Sequence, residues 1–406
     1  TSCLTSLTKV SMKSVGFTIG NTGGKAMLIL DECHSVANPT SQQTKMMLLH
    51  APLFKYRYLF SGTVADKPEK LWTQYQILDP WLNYNLSFNA WKDKMAVLGD
   101  HFSAYAIREW KKDELEKLNK RFLASYGNYY KTTDLLDLPD YIEKKIYCDM
   151  TPEHLKIYQA VIEEDLRNMG SFDTRDVVNR FPYMALSIDY PNLLAKHEEK
   201  FSDKLNKMIA SFKDSSIEKY NAVEDILKDH EGEKGIIWCV HPRSIQALAE
   251  RFKSYNPICI DGSVDQSVRF EMVEQFKKSK ENQILIANIA CLNTSVTILE
   301  ATFQVYVERC FNYSQYEQST RRIYRAGQTN NVRSYVLVYP NTIDTLLDKN
   351  LSSKGMLIEG LVGKNFLTKE QWREIFNCNP EDDLSSLEAR PKEGFNFGEL
   401  LDNISY

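Results

Sequence analysis

Two rhythms of apolar and polar positions divide the chain. From 203 to 363 short apolar runs, KGIIWCV, NPICI, NQILIAN, FQVYVERC and VRSYVLV, alternate with amphipathic stretches at 216–230, 242–253, 265–278 and about 314–326. Strand-like runs separated by helical stretches of this length predict a parallel sheet with right-handed crossovers, so this segment is read as one α/β domain. The first half offers the strands AMLIL and YRYLF, then a long aromatic and charged helical region from about 67 to 135. After it come the strand-like IEKKIYCDM and a helix opened by Thr151-Pro152-Glu153, a capping residue with proline at the first turn. An α/β core is present there too, but a short one. Residues 380–406 carry seven acids against two bases without periodicity and read as a loosely docked tail.

Bulk properties narrow the class. With 406 residues, 43% hydrophobic and 26% charged, the chain has material for two or three ordinary cores. No run approaches the roughly 18 apolar residues that span a bilayer, and the opening TSCLTSLTKVSMKS lacks the apolar centre of a secretory signal. An intracellular protein with no membrane partner is expected. A formal net charge of −4 announces no global basic field, so any nucleic-acid surface must be local. The cysteines at 3, 33, 148, 239, 259, 291, 310 and 378 form no CxxC pair and read as buried reduced thiols rather than disulfides or a zinc site.

Candidate chemistry starts at AMLILDECHSV, residues 26–36, where a buried strand ends in two carboxylates, a thiol and an imidazole. At the carboxyl edge of a sheet, Asp31 suits Mg2+ held through water and Glu32 suits orientation of water attacking a γ-phosphate; the bland reading is a solvated acidic turn. A second strand, YRYLF, ends in Ser61-Gly62-Thr63, whose hydroxyls can bond across to a neighbouring carboxylate or merely cap the next helix. Downstream, QYEQSTRRIYRAGQTNN sets Arg322 and Arg325 three apart, a spacing that on a helix aims both guanidiniums at one target, with Gln318 four residues before Arg322. Planar, permanently charged arginine suits a transferring phosphoryl group; a solvated basic face is the alternative. Trp72, Trp81, Trp91 and Trp110 read as core anchors. Lys92, Lys94, Lys111, Lys112, Lys117, Lys120 and Arg121, interleaved with acids, read as a solvated helix face.

The succession DECH, SGT, LWTQYQILDP and QxxxRxxRAGQ resembles the superfamily-two helicases, and within them the Swi/Snf-type ATPases that translocate on duplex DNA. LDLPDYIEKKIYCDMTPEHLKIYQAV, SIDYPNLL and SDKLNKMIASF are similar to family segments that lead into the second lobe. The resemblance runs from about residue 15 to 363. It implies an α/β fold of two RecA-like lobes with parallel sheets, the first incomplete, and a helical insertion between them. Residues 1–66 would be the remainder of the first, ATP-binding lobe. Residues 67–202 would hold the helical protrusion, the last strand of the first lobe and the inter-lobe linker. The second lobe would occupy 203–363 and the acidic tail 364–406.

The same resemblance implies ATP and Mg2+ as cofactors, with Asp31 positioning the metal and Glu32 activating water. His34, Ser61, Gly62 and Thr63 would couple closure, Arg322 and Arg325 would reach the γ-phosphate, and Gln318 would orient their helix. Thr294, Ser295 and Thr297 would touch the phosphates of duplex DNA. Departures from the family pattern qualify it. No GxxxxGK[ST] occurs, and the nearest run, GNTGGK at 20–25, lacks the following hydroxyl residue. The chain begins at Thr1 rather than Met, so the resemblance implies an amino-terminal part of the same polypeptide that carries the phosphate loop. ILIANIACLNTSVTILEA lacks the usual glycine-rich turn, and YYKTTDLLDLP lacks the usual paired arginines, which suggests a divergent, viral branch. A catalytically inactive DNA- or partner-binding module and a strand-separating helicase or restriction motor subunit share the same residues and stay open as alternatives.

Overall fold

Both strand systems expected from the apolar runs form in the computed structural model of the chain. It describes residues 27–352 apart from 63–64, 66, 99–106, 129, 131–134, 168–173, 282, 293–295, 311, 346 and 349–350. Residues 27–130 belong to one compact unit and 135–351 to another.

The first unit starts with β1 (Met27–Asp31), α1 (Gln42–His50), β2 (Tyr56–Phe60) and α2 (Pro68–Leu78). β1 and β2 run parallel in a register that sets Met27 against Tyr56 and Asp31 against Phe60. Leu28, Leu30 and Leu59 turn to a small core with Cys33, Val36, Ala51 and Ile77. The other face carries Met27, Ile29, Tyr56, Tyr58 and Phe60, all roughly half exposed. A parallel ribbon is ordinarily covered on both sides, so this bare face matches the short first core read from the sequence.

The long helical region expected after β2 is broken. Asp79-Pro80 ends α2, and the Asp79 side chain accepts the Trp81 N–H at 2.9 Å, opening a 3-10 turn instead of another helical one. There follow α3 (Phe88–Met95), the antiparallel pair β3 (Ala96–Leu98) and β4 (Ile107–Trp110), and α4 (Lys112–Ser125). Trp72, Trp91 and Trp110 are core residues, as expected. Trp81 is not: it is 44% exposed, with the Arg121 guanidinium 3.3 Å from its ring centre.

The second unit holds β5 (Tyr141–Tyr147), α5 (Pro152–Arg167), α6 (Thr174–Asp189), α7 (Asp203–Ser211), α8 (Glu218–Asp229), β6 (Lys234–Cys239), α9 (Pro242–Arg251), β7 (Ile258–Ile260), α10 (Gln266–Lys278), β8 (Ile284–Asn288), β9 (Ala301–Tyr306), α11 (Tyr313–Thr320) and β10 (Val332–Val338). Its strands form one six-stranded parallel sheet in the order β5-β10-β9-β6-β8-β7. The side chains of β6 alternate between two cores: Ile237 and Cys239 meet Tyr158, Val223 and Leu248 of α5, α8 and α9, while Ile236 and Trp238 meet Val273 and Phe276 of α10. Continuous apolar strands are what two covered faces demand.

One expectation is corrected. IEKKIYCDM, expected as the last strand of the first lobe, is β5, and it pairs with β10 over seven positions from Val332–Tyr141 to Val338–Tyr147. A further bond from Cys148 N–H to Val338 O at 2.9 Å extends the ladder. Its mixed side chains, Glu143, Lys144 and Lys145 among them, are largely exposed, as an edge strand tolerates. The second unit therefore begins well before residue 203.

Candidate functional site

At the end of β1 the chain turns sharply. Asp31 is exposed, and its Oδ1 accepts the Glu32 N–H at 3.0 Å. Glu32 then adopts the left-handed conformation, φ 53° and ψ 50°, before the 3-10 turn Cys33–Val36. For a residue with a side chain this costs about 1–2 kcal/mol and persists only where neighbours enforce it. Three do so. Cys33 is buried beneath the turn, and burial, followed by the Glu32 charge, pushes its thiol up to about 12, so it is no nucleophile. Gln74 of α2 donates its amide to the Cys33 carbonyl at 2.6 Å in a fully buried bond. His34 Nδ1 lies 3.1 Å from Glu32 Oε2 and 3.0 Å from Ser61 Oγ.

The last pair constrains the chemistry. His34 Nδ1 is hydrogen-bonded to the Ser61 hydroxyl and also faces the Glu32 carboxylate. Both partners use one ring nitrogen, so the group is not a Ser-His-acid relay, which needs both. Ser61 follows Phe60, the residue in register with Asp31, and parallel pairing thus delivers the hydroxyl beside the acidic turn. Gly62 is exposed next to it, and Thr63 lies outside the described residues.

In the second unit the helix expected to carry both arginines stops early. α11 opens with Asn312, whose side chain accepts the Gln315 N–H, and ends at Thr320. The hydroxyls of Ser319 and Thr320 turn back to Tyr316 O at 2.6 and 3.4 Å, competition that weakens a last helical turn. Arg322 and Arg325 therefore lie beyond the helix and do not share a face: Arg322 is buried, Arg325 exposed. Arg322 is tied to the segment before β9, its Nη1 donating to Val296 O at 3.2 Å and its carbonyl accepting the Ile298 N–H at 2.9 Å. That brings Arg322 against half-buried Thr297; Thr294 and Ser295 lie outside the described residues. Gln318 sits half-buried on α11.

The turn after Arg325 is built around two residues. Gly327 has φ +97°, and a Cβ there would meet Leu299 at 2.9 Å. Gln328, buried, donates to the carbonyls of Leu299, Ala301 and Ile323 and accepts from the N–H groups of Thr329 and Asn330. Elsewhere the basic stretch of the first unit is neutralised locally: Lys94 and Lys117 both hold Glu114, and Lys120 holds Glu116.

With the geometry described, kinship can be read. The SNF2-related domain family matches residues 3–217, more than half of the chain, and the helicase conserved C-terminal domain matches residues 218–327. The chain belongs to the SNF2-related family. It is 25% identical over 342 residues to the DNA annealing helicase and endonuclease ZRANB3 of Bos taurus, covering 82% of this chain and 29% of that protein. It is 23% identical over 357 residues to the TATA-binding protein-associated factor mot1 of Aspergillus fumigatus, covering 78% and 19%. The chain thus spans less than a third of the length of these curated relatives. The SWI2/SNF2 ATPase core domain of Sulfolobus solfataricus is similar over 90% of this chain and 71% of that one, with a TM-score of 0.44 and 21% identity. The viral affiliation expected from the missing motifs is not borne out: these curated relatives come from cattle and a mould.

Within this SNF2-related chain, Asp31, Glu32, His34 and Ser61 come together at one strand end of the first unit, while Arg322, Thr297 and Gln318 belong to the second. Gln74 is a polar residue among apolar neighbours, the one sequence signal that could have found it; Gln328 stood in the RAGQ run, but its five bonds did not show there. Among the described residues no helix is long and apolar enough to cross a membrane.

Proposed function

We propose that the chain is part of an ATP-dependent motor that moves along duplex DNA, with Asp31 and Glu32 as its hydrolysis pair. The observation that carries this is a strained acidic turn, fixed by Gln74 and the His34–Ser61 clamp, in a member of the SNF2-related family. Asp31 offers an exposed hard oxygen at a sheet's carboxyl edge, which fits Mg2+ held through water. When bound, that ion would neutralise phosphate charge and polarise the γ-phosphoryl group. Glu32 orients a water and takes its proton, with His34 beside the carboxylate to keep it in place. Ser61, Gly62 and Thr63 pass a change at that carboxylate to the segment following β2.

Arg325, exposed, supplies a guanidinium to the transferring phosphoryl group, whereas Arg322 holds its own loop against the segment of Thr297. Thr294, Ser295 and Thr297 contact DNA phosphates, and Gln318 sets the end of α11. The first lobe, protrusion with linker, second lobe and tail divide the chain in the order read from its sequence, within an intracellular protein.

The absence of a GxxxxGK[ST] from the 406 residues favours one second reading, a catalytically inactive DNA-binding module of the same fold. It also leads us to expect negligible ATP hydrolysis by these 406 residues alone. The test is ATP turnover by the polypeptide as its gene encodes it, with duplex DNA, single strands or neither. A motor of this kind responds most to duplex, without displacing a strand. Turnover absent under all three conditions favours the inactive module; strand displacement favours a separating helicase.

A further inference from the structure

The carboxyl ends of β6 and β9 are neighbours from which the chain departs in opposite directions, β6 toward β8 and β7, β9 toward β10. In open parallel sheets such a point is a crevice where ligands bind. Here it is lined by His241, two residues beyond β6, by Glu308, two beyond β9, and by Asp189, the last residue of α6. One ligand atom from each lies within 4.8 Å of the others, with His241 Nε2 3.7 Å from Asp189 Oδ2.

The polar atoms of this crevice are incompletely paired. Glu308 is 1% exposed; its Oε2 accepts the N–H groups of Val240 and His241 at 2.7 and 2.9 Å, while its Oε1 makes no hydrogen bond. The buried hydroxyl of Ser244 faces Glu308 and Tyr220 without closing a bond of normal length to either. A buried carboxylate with one oxygen fixed by two donors and the other unpaired is short of a partner.

Charge points the same way. Lys219 Nζ is 2.8 Å from Asp344 and 3.4 Å from Asp189 Oδ1, which leaves Asp189 Oδ2 to the crevice. With all three carboxyls ionised, Asp189, Glu308 and Asp344 against Lys219 sum to −2, and a proton on His241 still leaves −1. A divalent cation brings the cluster to neutrality.

We propose that Asp189, His241 and Glu308 bind one divalent transition-metal ion with the size and ligand preference of Zn2+, joining the end of α6 to the carboxyl ends of β6 and β9. Two ligands on such an ion stand about 3.5 Å apart at tetrahedral angles, so the side chains have only about 1 Å to close. One imidazole and two carboxylates suit a borderline ion better than Mg2+ or Ca2+. The site is independent of the hydrolysis proposed at Asp31 and Glu32.

The test uses the whole chain, stripped with a chelator and then offered Zn2+ alone or Co2+ alone. One ion per chain is expected to survive gel filtration and to raise the melting temperature. Co2+ should give weak visible bands of nitrogen and oxygen ligation. His241→Ala and the isosteric Glu308→Gln should each weaken Zn2+ binding by about 100-fold or more. No retained ion, retention unchanged in both variants, or the intense near-ultraviolet band of thiolate ligation would overturn the proposal. The wild-type Co2+ spectrum decides the matter even where a variant fails to fold.

Discussion

Glu32 is the residue on which the first unit concentrates its constraints. Left-handed backbone at a residue that is not glycine, held by a buried amide on one side and an imidazole on the other, is strain kept in place for the position of a carboxylate. DECH after an apolar run made that acid legible in the sequence, because strand ends and charge are local signals. Gln74 was not legible, since its partner is a carbonyl 41 residues away that only the packing of α2 on the turn brings near. Replacing Gln74 by Leu, close in volume, removes the buried amide bond to the Cys33 carbonyl and should destabilise the first unit by about 0.5–1.5 kcal/mol. Chemical denaturation followed by fluorescence of the tryptophans near α2 checks this. An unchanged midpoint would mean that the turn holds itself.

Among the elements, the end of α11 differs most from what periodicity suggests. QYEQSTRRIYRAGQ keeps a helical rhythm past residue 320, but hydroxyl back-bonding and the left-handed Gly327 end the helix first, and hydrogen bonding of that kind leaves no trace in apolar spacing. Gln328 closes the turn with five bonds, so Gln328→Leu should cost about 2–4 kcal/mol of second-unit stability, read from thermal unfolding.

His154 ties α5 to α6. Its Nε2–H donates to Ser187 O at 2.8 Å while its Nδ1, buried, has no partner, and burial lowers its pKa to about 4. Because the folded value lies below the unfolded one, near 6.5, its contribution is complete above pH 6.5 and is lost as pH falls from there toward 4. The loss should amount to about 3 kcal/mol at most. Wild type and His154→Gln should therefore diverge in stability above pH 6.5 and converge near pH 4; parallel curves would place the acid sensitivity elsewhere.

For the whole molecule, the α/β class, the strands of the second sheet and the short first core were all readable, because two-sided burial writes itself as uninterrupted apolar runs. The allegiance of β5 was not: an edge strand with exposed polar residues looks alike beside either sheet, and only its ladder to β10 assigns it. The duplex binding proposed for the motor, being a matter of phosphates and local positive charge, should weaken steeply with salt, with a slope near 0.9 in log affinity for each phosphate neutralised. A salt-independent affinity would exclude backbone tracking. The most direct measurement is ATP turnover on duplex DNA by the gene-encoded polypeptide and its Glu32→Gln variant, with ATP and DNA binding measured in parallel. Glu32→Gln should lower the rate by about 10²–10⁴-fold while both ligands still bind; turnover at the wild-type rate in the variant would contradict the role assigned to Glu32.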